Sequence, residues 1–219
     1  MAQIGIVRIK KIVDSLLTFI KADYEAVLDK SESFLLRCFD DEDEVDGISY
    51  KDLAIEIFTR TDLENRKIET RLLFDRDRAK LPTVHVREPA KGKGLQDGIG
   101  HIDEELYENA DGSFQETRRR SFTSQYELMI TSLNRHEVII MEEVLLGLLI
   151  GVQDTLALAE PFYQFNFTVK ELMANNQLVP DPLFIKSIGL NTSYDKTYPD
   201  LSNNVMLNKI LFTHNILAS

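Results

Sequence analysis

Between Ser121 and Val169 the chain changes its apolar period twice, and those changes restrict the fold more than any other feature. Phe122, Tyr126, Leu128 and Ile130 alternate with Thr123, Gln125, Glu127 and Thr131. A two-residue period puts apolar groups on one face and polar groups on the other, as in a half-buried strand. Asn134 interrupts it. The Asn134 side chain can accept from the next free amides, and Glu137, three residues on, can reach back to the Asn134 N–H, so the pair predicts a capping box. From Arg135 to Ala159 the steps become three and four: Val138, Met141, Val144, Leu145, Leu148, Val152 and Leu156 predict a helix with a broad apolar stripe. Pro161 marks its stop. Tyr163, Phe165, Phe167 and Val169 then alternate with Gln164, Asn166, Thr168 and Lys170, a second strand. Neither element buries its apolar face alone, so the helix must lie on a sheet.

The remaining segments are read against that unit. Ile9, Ile12, Val13, Leu16, Leu17 and Ile20 form a helical stripe within Ile6–Leu28. Phe34–Phe39 is a short apolar run, helix or strand, which period does not settle. Ser49, with Asp52 three residues later, starts a short helix over Tyr50–Phe58. Ile68, Leu72 and Phe74 begin an extended segment, Asp75–Lys80 is a charged turn closing a hairpin, and Leu81–Pro89 alternates again. Pro82 marks that stretch as an edge strand or the beginning of one. Periodicity is lost from Ala90 to Arg120, which holds four of the ten glycines between Gly92 and Gly100. A loop of that length is functional or mobile in most compact domains, and Asp111-Gly112 fits the turn of a projecting hairpin. The expectation is an arm over 90–120 that reaches a neighbouring subunit or partner and is ordered only on assembly, with Lys91, Lys93, Leu95, Ile99 and Phe114 as its contact residues. Further on, Asn175–Pro182 reads as a turn, Leu183–Tyr194 as a strand, Asp195–Asn204 as a loop and Met206–Ile216 as a last strand. The fold class is α+β: a mostly antiparallel sheet with one long central helix packed on it, an N-terminal amphipathic helix, and a long loop or hairpin arm, all in a single domain over 1–219.

The chain's 219 residues, 43% hydrophobic, suffice for a real core, and a single cysteine, Cys38, allows no intrachain disulfide. A net charge of −11 repels phosphate backbones and argues against a nucleic-acid binder that uses its whole surface. Arg118, Arg119 and Arg120 are the densest basic cluster. They are a candidate for meeting DNA phosphates, against pairing with an acidic neighbour such as the Asp40–Asp46 run. No apolar run reaches the ~20 residues that span a bilayer. The N-terminus, broken by Arg8, Lys10, Lys11 and Asp14, reads as part of the fold, so no membrane is expected and the protein is expected to be cytosolic where it is made.

Chemistry needs groups that converge. The G-x-S-x-G elbow, the H-E-x-x-H zinc pair, the Walker loop and G-x-G-x-x-G are all absent from the sequence. His136-Glu137 has no second histidine at the required step. The carboxylates of Asp40–Asp46 miss calcium-loop spacing and read as a solvated loop. Asp62, Glu64, Asp75, Asp77 and Lys80 are the set a metal-dependent nuclease would use, although 36 acidic residues produce such sets by chance. The row Tyr163, Phe165 and Phe167 reads as core rather than as a base-stacking platform. No enzyme, catalytic residue, metal or cofactor is expected.

The order of elements, with "LPTVHVREP", a long loop, "SQYELMITSLNRHEVIIMEEVLLGLL", an aromatic strand, then "PDPLFIKSIGLNTSYD" and "MLNKILFTH", resembles the tail terminator and tail completion proteins of tailed bacteriophages. The likeness runs from Ile4 to His214 and lies in element order and texture. It implies a structural virion protein of the neck, or head–tail connector. Such a protein forms a homo-oligomeric ring, hexamer or dodecamer, between portal-side and tail components, with DNA only as cargo passing through the channel. A metal-dependent nuclease and a non-virion assembly or binding factor are the alternatives.

Overall fold

The computed structural model describes residues 5–45, 47–60, 67–72, 81–93, 103–108, 114–159, 162–171 and 183–199. Helix α1 (Gly5–Ala26) buries Ile9, Val13, Leu16 and Ile20, the stripe that the spacing predicts. A 3₁₀ turn, Lys30–Glu32, leads into α2 (Phe34–Arg37), so the ambiguous apolar run is helical. The Ser33 hydroxyl caps it by accepting the Leu36 N–H at 3.4 Å. Strands β1 (Glu44–Val45) and β2 (Ile48–Ser49) form a small antiparallel pair. Gly47, at φ +79°, makes the turn between them in a conformation that side chains with a Cβ resist. Helix α3 (Tyr50–Thr59) begins where Ser49 accepts the Asp52 N–H, as the sequence implies.

The main sheet holds β3 (Glu69–Leu72), β4 (Thr83–Lys93), β5 (Asp103–Glu108), β6 (Phe114–Ser132), β7 (Phe162–Glu171) and β8 (Phe184–Pro199). Its order is β3-β4-β6-β8-β7, with β5 also on β6. Helix α4 (Arg135–Ala159) joins β6 to β7, with the bounds read from its period. The fold is therefore α+β with a mostly antiparallel sheet, the long helix packed on it and the N-terminal helix beside it.

One pairing differs from expectation. β3 and β4 are parallel, Glu69 facing Thr83 and Leu72 facing Val86, not the arms of a hairpin. A charged stretch between two extended segments carries no information about strand direction, and that is why the sequence misled. Pro82 precedes β4, which lies inside the sheet between β3 and β6, so the proline marks the beginning of a strand and not an edge. The predicted turns at 75–80 and 175–182, the stop at Pro161 and the last strand over 206–216 fall outside the described residues.

All described helices lie on one face. Val84, Val86, Tyr126, Leu128, Ile130, Ile188 and Leu190 point from the sheet into a single core with α1 and α4. Gly5 is the close approach: a Cβ there would sit 2.0 Å from the Tyr126 hydroxyl. Helix α4 buries more than one stripe. Ile140 and Leu149 are buried besides Val138, Met141, Val144, Leu145 and Leu148, because the sheet covers one side of α4 and α3 packs on another.

Candidate assembly surface and the buried polar groups

The segment expected to be a loose arm is largely strand. β4 runs on to Lys93, opposite Phe122, and β5 pairs with the same flank of β6, Asp103 opposite Arg119 and Glu108 opposite Phe114. The expected turn at Asp111-Gly112 lies outside the described residues. On the other flank, β8 continues through Asp195–Pro199 beside Thr117–Ser121, where the sequence reads as loop. These ends escape a search for apolar alternation because Gln115–Arg120 and Asp195–Tyr198 are mostly polar or charged. Charged cross-strand partners stabilise such a ribbon as an apolar face does elsewhere. Among described side chains, Phe122 and Tyr194 are the last in contact with the core, and the strands continue beyond them.

Of the arm residues, Lys91 sits on the ladder opposite Ser124, its Nζ 4.8 Å from the Phe122 ring centre and 5.6 Å from that of Tyr194. The two rings stack, with centroids 6.0 Å apart. Lys91 is therefore placed by a cation–π contact at the root of the ribbon. Lys93 ends β4 and Phe114 opens β6. Leu95 and Ile99 lie outside the described residues.

Arg118, Arg119 and Arg120 lie within β6, not ahead of it. Arg118 faces Glu104 and Arg119 faces Asp103 in the β5 register. Both of these register partners on β5 are acidic. Of the Asp40–Asp46 run, Asp40–Asp43 are exposed. Asp41 accepts from Lys51 Nζ at 2.5 Å, the contact that holds its carboxyl below the usual range.

One buried and one half-buried ion pair have no signature in the sequence pattern. The Glu137 carboxylate does not turn back to the Asn134 N–H. It takes Arg60 Nη2 at 2.9 Å and the Ser132 hydroxyl, both Arg60 and Glu137 being buried. A buried guanidinium is the stronger partner for a buried carboxylate. Ser132 Oγ accepts the Asn134 N–H at 3.1 Å, and Asn134 caps α4 by accepting the His136 N–H at 2.9 Å. His136 Nδ1 lies 3.3 Å from the Tyr50 hydroxyl, a contact between α4 and α3. Glu142, in the apolar run of α4, meets Lys186 Nζ of β8 at 2.5 Å. On the sheet face away from the helices, Arg87 pairs with Glu127 and Arg71 with Glu69 at 2.7 Å. His85 lies opposite Arg71. Burial, and then the Arg71 charge, lower its pKa from 6.5.

A cleft of about 580 Å³ opens between α1, the end of α3 and β3. Asp62, Glu64, Asp75, Asp77 and Lys80, the nuclease set, lie outside the described residues. Among the described residues no three His, Cys, Asp or Glu side chains are grouped to hold a metal ion. No described helix is long and apolar enough to cross a membrane. In comparisons with known proteins, no family model matches the chain, and no curated protein is significantly similar to it.

Proposed function

We propose that this chain is a structural virion subunit that closes with copies of itself into a ring at the phage neck. There it joins portal-side and tail components around the DNA channel. The observation that carries the reading is the ribbon of β5, the first part of β6 and the end of β8, which continues past Phe122 and Tyr194. A narrow ribbon is marginal by itself and gains stability against a further surface. A neighbouring copy supplies that surface at every position of a ring, because one heterologous contact repeats until it closes. The likeness in element order to tail terminator and tail completion proteins supplies the location. A net charge of −11 suits a channel wall past which DNA slides without adhering. Electron microscopy of the purified protein, alone and with portal and tail proteins, tests the proposal. Closed rings with sixfold or twelvefold symmetry are expected. A chain that stays monomeric in all three preparations overturns it.

A further inference from the structure

We propose that the cleft between α1 and β3 binds an extended peptide segment of another protein, laid along the outer edge of β3. Three observations meet there. The first is shape: α1 forms one wall, through Leu17 and Ala22, and the start of β3 forms another, with Ile68 and Phe58 contributing apolar surface. A groove between a helix and an edge strand takes a peptide as one more strand, with backbone bonds for affinity and small pockets for selectivity.

The second is the backbone. β3 ends the sheet order, with β4 as its single described neighbour. The Glu69 N–H bonds to the Pro82 carbonyl, which turns Glu69 toward β4. In a parallel ladder alternate residues face opposite flanks. The N–H and C=O of Thr70 are therefore directed outward, along the cleft that Thr70 lines.

The third is unpaired polar atoms. Arg60 and Thr70 both line the cleft, and Arg60 Nη1 and Thr70 Oγ1 are buried with no hydrogen-bond partner. The positive charge of Arg60 is already met, because its Nη2 holds Glu137 at 2.9 Å and Glu56 at 3.0 Å. What Nη1 lacks is an acceptor, not a counter-ion. An uncharged oxygen fills that need without adding a third carboxylate to one guanidinium, and a peptide carbonyl is such an oxygen. A buried donor left without an acceptor is unfavourable, so an occupant that reaches it is selected for its carbonyl. The inference stands apart from the ring, since it requires neither closure nor the ribbon.

The test is selection of short unstructured peptides from a random library on the full-length protein, followed by amide hydrogen exchange with the enriched peptide bound. Enriched peptides are expected to protect the Thr70 amide and to bind Ala22→Trp, which fills the groove, at least about tenfold more weakly. Arg60→Lys keeps the charge toward Glu137 but removes Nη1, and it weakens binding in the same direction. Should Ala22→Trp fail to fold, Thr18→Arg on the exposed rim of the same wall replaces it. No enrichment, equal binding by the filled variant, or protection confined to other strands each overturns the proposal. Rings remain visible by microscopy whichever way this experiment falls, so its failure is separable from failure of the assembly reading.

Discussion

Single residues of this molecule are decided by what they are buried with. Glu137 is 3% exposed and Arg60 9%. Glu137→Ala leaves that guanidinium, among the described residues, with the exposed Glu56 as its counter-ion. Removing one partner of a buried pair is unfavourable by about 3–5 kcal/mol, so the urea midpoint of Glu137→Ala should fall by that equivalent. The Cys38 thiol is pushed up to about 11 from 9.0, by burial first and the Glu143 charge second. The native protein should therefore react with a disulfide reagent near neutral pH about a hundredfold more slowly than the unfolded chain. His85 gives a pH signature. Its folded pKa lies below 6.5, so the unfolded chain takes up the proton first as pH falls. The stability it contributes is complete above that value and is lost below it. His85→Gln should flatten the decline in Tm between about pH 7 and pH 5.5. At this scale the sequence shows anomalies but not their partners. Glu142 stands out in an apolar run and Lys186 in an apolar strand, yet only the fold brings them to 2.5 Å.

At the scale of elements, legibility follows the apolar pattern. Helix α4 is readable to the residue because a strand period stops at Ser132, a cap residue stands at Asn134 and a helical period begins at once. α1 and α3 are readable for the same reason. β5 and the outer halves of β6 and β8 are not, since their mostly polar and charged residues leave no two-residue apolar rhythm. The direction of β3 is invisible for another reason: it is set by its neighbour in space. Helix α4 also offers the strictest test of the core. Leu145 is fully buried. Leu145→Asp places an unpaired charge between sheet and helices, which no local adjustment relieves. The variant should be insoluble or lack the cooperative unfolding of the parent, as followed by circular dichroism during thermal melting.

The whole molecule has two parts with different demands: a core closed by Phe122 and Tyr194, and a ribbon beyond it. Deleting Gly92–Asp111 removes β5 while leaving every core residue that is buried among the described residues in place. Thermal unfolding of that variant should stay cooperative, whereas its rings should be lost from micrographs. A variant that no longer folds would show the ribbon to be part of the core. The helix-on-sheet core was readable from pattern, because one helix period and its flanking strands already demand a shared interior. The candidate site was readable only in position: the segment 90–120 stood out, but its strands did not.

Strand β6 is held on both flanks, by β8 on one side and by β4 and then β5 on the other. Its rungs lie crosswise to its length. A pull on the far tip therefore travels lengthwise down a single spine into the densest part of the body. Many rungs must then yield together instead of parting one by one like a zip, so this slender ribbon is built to bear tension along its length.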